Sequence, residues 1–118
     1  MVTHQHIAFV NAQTDGEDLY ASPVLPFEVG NIFWKRLRSP AADIEVLMAI
    51  WSAWTEALPL RLMLSDAPSV VRLAHRTGLT FYDASYLQLA LDLDGDLISL
   101  DKRLLRIAQG VGVRAPMP

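Results

Sequence analysis

The stretch Thr80-Phe81-Tyr82-Asp83, running on through Ala84 to Leu93, the turn Asp94-Gly95 and then Leu97-Ile98-Ser99-Leu100-Asp101, decides the fold. Its first four residues are a Ser/Thr-x-x-acid capping signature, placed where a helix leaves its first N–H groups without partners. A helix over Ala84 to Leu93 follows, Asp94-Gly95 turns the chain, and Leu97 to Leu100 reads as a strand. Asp101 then caps a helix to about Gln109, and Val111-Gly112-Val113 reads as a last short strand. Strands alternating with helices predict a layered α/β domain with a mainly parallel sheet. In such sheets function collects at the carboxyl ends of the strands, and Asp101 follows directly on one.

Working outward, Ser65 to about Thr77 reads as a helix with Val70, Leu73 and Ala74 inward and Gly78 as its stop. Leu60 to Leu64 is short and apolar, a strand. Pro59 ends a helix opened at Ser39-Pro40, whose Ile44, Leu47, Met48, Trp51 and Trp54 follow helical spacing. Ser22-Pro23 opens another, to about Leu37, with Leu25, Val29, Ile32 and Phe33 as apolar positions and Pro26 still in its first turn. There are no repeats or linker-like tracts, so residues 1–118 read as a single domain.

Composition excludes several classes of function. The absence of cysteine removes disulfide frameworks, thiolate zinc sites and thiol catalysis, and fits a reducing cytoplasm. No apolar run approaches the ~20 residues that cross a bilayer, and Met1 to His6 does not resemble a secretory leader. A soluble cytoplasmic protein is expected. With 10 Lys+Arg against 13 Asp+Glu the net charge is −3, so contact with nucleic acid must be made by a local patch. Lys35-Arg36-Leu37-Arg38 and Lys102-Arg103-Leu104-Leu105-Arg106 are candidate patches, read equally well as solvated helix ends. Trp34, Trp51 and Trp54 are expected in core or dimer contacts rather than under bases, and His4, His6 and His75 do not form a zinc spacing.

Three carboxylates stand out. Glu28 lies in the most apolar helix of the chain, where a carboxylate must be paired, hydrated or metal-bound, or else sit on an exposed stripe; Asn31, three residues on, can orient it. Asp83 completes the capping box and Asp101 is an N-cap, so each also has a purely structural use. Together, clustered carboxylate oxygens suit Mg²⁺ or Mn²⁺ and phosphodiester hydrolysis. Spacing alone does not say that the three converge.

From Leu19 onward the sequence resembles the PIN-domain family, and within it the VapC-type toxin ribonucleases. The resemblance rests on Leu19-Tyr20-Ala21-Ser22-Pro23 leading to Phe27-Glu28-Val29-Gly30-Asn31, on Gly78-Leu79-Thr80-Phe81-Tyr82-Asp83-Ala84-Ser85-Tyr86, and on Leu97-Ile98-Ser99-Leu100-Asp101-Lys102-Arg103-Leu104. It implies a three-layer α/β/α sandwich with a parallel sheet and an acidic Mg²⁺/Mn²⁺ site that cleaves RNA, possessed by the toxin of a toxin–antitoxin pair. Asp83 is then a metal ligand, Glu28 a ligand or water-positioning group and Asp101 an outer carboxylate, with Ser99 and Asn31 in support.

The departure is at the front, where only 18 residues precede Leu19 and the family's opening strand and first metal-binding Asp have no clear counterpart. The preferred alignment makes His6 to Ala12 the remnant of a later helix, so that the domain is N-terminally truncated. The other makes Ile7-Ala8-Phe9-Val10-Asn11 a replacement first strand with Asn11 in the place of the Asp. A start codon further upstream is a third reading. Loss of a central strand would open an apolar slot for a second copy to cover, hence an expected homodimer. A catalytically degenerate binding or dimerisation module is the alternative to the nuclease.

Overall fold

The computed structural model of the chain describes residues 7–13, 17–57 and 60–118. Strand β1 (Ala8–Gln13) and β2 (Glu17–Ala21) lead to helices α1 (Leu25–Leu37) and α2 (Ile44–Ala57). Strand β3 (Leu60–Leu62), helices α3 (Ala67–Thr77) and α4 (Phe81–Leu93), strand β4 (Asp96–Ser99) and helix α5 (Lys102–Gly110) follow. The strands form one sheet in the order β3-β2-β1-β4.

The sheet is mixed, and one strand makes it so. β2 and β3 are parallel, while β1 is antiparallel to both β2 and β4. Hence β2, β3 and β4 share the direction expected of a parallel α/β sheet, and β1 alone is reversed. Ala8 to Ala12, within the stretch read as a helix remnant, are therefore strand instead. The period-2 burial of Ala8, Val10 and Ala12, each fully buried, with Phe9 and Asn11 half-buried between them, suits a strand covered on both faces. Asn11 does not stand where the family's first Asp would. It pairs with Asp96 at the start of β4, whereas Ala8 pairs with Ser99 at its carboxyl end.

Small residues on one face of β1 let α4 lie close upon it. Leu97, Val10 and Tyr20 make a buried cross-strand row on that face, and Tyr86, Leu87 and Leu89 of α4 are fully buried in the same core. The opposite face carries α1 and α2, where Phe9, Leu25, Val29, Trp51, Leu60 and Leu62 line a cavity of about 190 Å³. The helices so cover the sheet on two sides. At the β4 edge Arg114 anchors the final segment, its carbonyl accepting from the Leu97 N–H at 2.9 Å and its guanidinium meeting Asp96 at 2.7 Å. That segment, Val111 to Val113 included, is not a strand.

Local signals place most helix ends. Thr80 Oγ1 accepts from the Asp83 N–H at 3.2 Å, Asp101 Oδ1 accepts from Arg103 and Leu104 N–H, and Gly78 ends α3 at φ 78°. Both Ser-Pro signals come early. α1 starts after Val24 and α2 after Asp43, whose Oδ1 accepts from the Glu45 N–H at 2.9 Å. α2 also buries none of its residues: Ile44, Met48 and Ile50 are exposed, and Trp51 anchors the helix edge-to-face on Phe33 with centroids 5.5 Å apart.

The reversed strand comes so close to the α4–β4 turn that a Cβ on Gly95 would lie 2.7 Å from Val10 Cγ1 and 2.9 Å from the Asn11 carbonyl oxygen. Backbone cannot yield to that contact cheaply. Gly95→Ala is expected to destabilise the domain by about 2 kcal/mol in urea unfolding. Gly110→Ala, with nothing within 4 Å, is expected to be neutral or slightly stabilising.

Candidate functional site

The parallel direction of β2, β3 and β4 puts their carboxyl ends on one edge, and the chain turns there into Ser22, Ser65 and Ser99, all buried. α1 and α5 begin beside this edge, which brings Glu28 into the first turn of α1 and Asp101 to the cap of α5. β1 reaches the same edge with its amino end. Ser99 Oγ donates to the Ile7 carbonyl at 3.3 Å and accepts from the Asp101 N–H at 3.0 Å. One hydroxyl so ties the reversed strand to the loop that presents Asp101.

α4 supplies the other half. Asp83 sits in its first turn and is 3% exposed, while Tyr86, one turn on, is fully buried. The Tyr86 hydroxyl donates to Glu28 Oε1 at 3.2 Å, and the neighbouring Ser85 hydroxyl lies 2.9 Å from Ser22 Oγ. Two adjacent residues of α4 are thus sewn to α1 and to the end of β2. Burial pushes the Tyr86 phenol far above its usual range; the charge of Glu28, the hydrogen bond to it and the charge of Asp83 act in the same direction. Both carboxylates therefore lie within electrostatic reach of one hydroxyl, although 55 residues of chain separate them.

Of the residues singled out in the sequence, the fold unites Glu28 and Asp83 around Tyr86, and Ser99 with Asp101 across one hydrogen bond. Asn31 is exposed on α1. Among the described residues no group of three or more His, Cys, Asp or Glu side chains is gathered closely enough to hold a metal ion. His4 and His6 lie outside the described residues. Sequence reasoning missed Tyr86, which looks like one more apolar position of α4; its i+3 spacing from Asp83 was the available signal.

No family model matches the chain. It is similar to exonuclease VapC9 of Pyrobaculum aerophilum, with 36% identity over 90 residues that cover 71% of this chain and 62% of that protein. The chain thus spans less than two thirds of that relative's length. It is similar also to ribonuclease VapC3 of the same organism, with 30% identity over 98 residues, 79% of this chain and 73% of that protein. Among solved structures, PAE2754 of P. aerophilum superposes with a TM-score of 0.70 at 27% identity, covering 81% of this chain and 69% of that one. Two relatives at this identity, and a shared fold over four-fifths of the chain, place the protein in the VapC-type PIN-domain family.

Proposed function

We propose that this domain hydrolyses RNA phosphodiesters as a divalent-metal-dependent endoribonuclease, with Glu28, Asp83 and Asp101 as its acidic residues. The observation that carries the reading is the hydrogen bond from the Tyr86 hydroxyl to Glu28 Oε1, which ties α1 to α4 one turn after the buried Asp83. The donor set suits a hard, well-hydrated cation, since Mg²⁺ is commonly held by one or two carboxylates and keeps several waters for phosphate oxygens to replace. Glu28 and Asp83 would hold Mg²⁺ or Mn²⁺, with Asp101, Ser99 and Asn31 in support. When bound, such an ion supplies an acidified water and offsets the charge that builds on the phosphate.

The chain's own residues prepare that site. Tyr86 donates to Glu28 and so limits the rotation of its carboxylate, while Thr80 fixes the first turn of α4 around Asp83. Asp101 is held by two amide N–H groups of α5. The reading as a toxin-type nuclease brings an antitoxin protein and a second copy as proposed partners. The slot argued from the sequence as a dimer contact is filled by β1. The exposed Ile44, Val46, Met48 and Ile50 of α2 now support a protein partner instead.

A binding module without catalysis is the second reading, and one observation favours it. At the site edge β1 brings the Ile7 carbonyl rather than a carboxylate. Calorimetric titration with Mn²⁺ separates the two. The nuclease reading expects saturable binding that Asp83→Asn abolishes and Tyr86→Phe weakens about tenfold, the usual scale for a residue that orients a ligand. Absence of binding in the wild-type protein would replace the nuclease with the module.

Tyr86 also makes a pH prediction. Its folded-state pKa lies above the unfolded value of 10.0, so above pH 10 the unfolded chain sheds a proton that the folded chain keeps. The associated stability is fully present below pH 10 and is lost as pH rises, at up to about 1.4 kcal/mol per pH unit. Urea unfolding between pH 9 and 11 should show this slope, and Tyr86→Phe should flatten it.

A further inference from the structure

We propose that Phe81 and Tyr82 form a base-stacking platform for single-stranded RNA beside the acidic pair, with Arg103 meeting the phosphate backbone. This rests on the nuclease reading above and assigns the side chains that would grip the substrate at that site. The two rings occupy the first turn of α4, immediately before Asp83, and are 41% and 57% exposed. They stand edge to face with centroids 6.4 Å apart, so each ring props the other.

The fold makes little use of these rings. Leu79 and Ala84, at the positions on either side of them where an apolar clasp sets the entry of a helix, are both buried. Neither Phe81 nor Tyr82 belongs to the core cluster. Adjacent exposed aromatics next to an acidic site are what stacking on unpaired bases requires, because every base has a π-face and a duplex keeps its own faces covered.

Charge points to the same ligand. The Arg103 guanidinium reaches back over the end of α3, where a Cβ on Gly78 would lie 3.8 Å from Nη2. That places a cation three residues before Phe81 in a protein whose net charge is −3. Arg103 makes no salt bridge among the described residues, and Arg76 of α3 and Lys102 and Arg106 of α5 are exposed. Without bulk positive charge, a nucleic acid must be caught by such a local cation and by stacking.

The test is fluorescence anisotropy of a 5′-labelled twelve-nucleotide oligouridylate and of an RNA duplex of equal length, in EDTA so that binding is read apart from cleavage. The single strand is expected to bind more tightly than the duplex. Phe81→Ala and Tyr82→Ala should each weaken it about five- to tenfold, and Tyr82→Phe should bind as the wild type. Arg103→Gln should weaken binding and reduce the slope of log affinity against log salt by about 0.7. Alanine variants with wild-type circular dichroism that bind within twofold of the wild type would overturn the platform. So would equal affinity for the duplex, or no binding of the single strand by the wild type. Ring-dependent binding in a protein that never cleaves RNA would keep the platform and sink the nuclease; metal-dependent cleavage with ring-independent binding would do the reverse.

Discussion

The structure depends on one strand running the wrong way. A PIN-like sheet needs a strand between β2 and β4, because both would otherwise expose a full row of backbone donors and acceptors to an apolar layer, where each orphaned group costs free energy on the scale of a lost hydrogen bond. β1 satisfies both rows at once, antiparallel to each neighbour. Its small inward residues, Ala8, Val10 and Ala12, admit α4, and the closeness of that layer demands glycine at position 95. With β1 in place, α1 and α4 approach near enough for Tyr86 to bond Glu28.

Reversal has a chemical consequence. A strand parallel to β4 would bring its carboxyl end to the edge where Ser22, Ser65 and Ser99 gather; β1 brings its amino end and a backbone carbonyl. Among the described residues, the carboxylates placed near this edge come from α1, α4 and the α5 cap. Glu28 and Asp83 are tied into that edge by Tyr86 and by the Thr80 cap. The aromatic rings at the start of α4 stand on the solvent side of the same turn, so a single helix end presents the buried carboxylate and the exposed platform together.

Much of this was legible in the sequence where the determinants are local. Thr80, Asp101 and Gly78 act within a few residues of themselves and end their helices where the motifs indicate. Ser22-Pro23 and Ser39-Pro40 misled by a few residues, since Ser and Pro favour any turn and the helices begin only where Val24 and Asp43 lie. The direction of β1 was illegible, because alternation of period 2 reads the same both ways. So was the exposure of α2: Ile44, Leu47, Met48, Trp51 and Trp54 mark an apolar face, and no local pattern says whether another element covers it. The meeting of Glu28 with Tyr86 is a contact between residues 58 positions apart, and no local pattern encodes it.

The direction of β1 can be read directly from nuclear Overhauser contacts between the backbones of residues 8–11 and 96–99. The structure requires that Ala8 pair with Ser99, Phe9 with Ile98, Val10 with Leu97 and Asn11 with Asp96, the partner falling by one as the residue rises by one. A ladder in which both numbers rise together would make β1 parallel, return its carboxyl end to the acidic edge, and contradict the account at its centre.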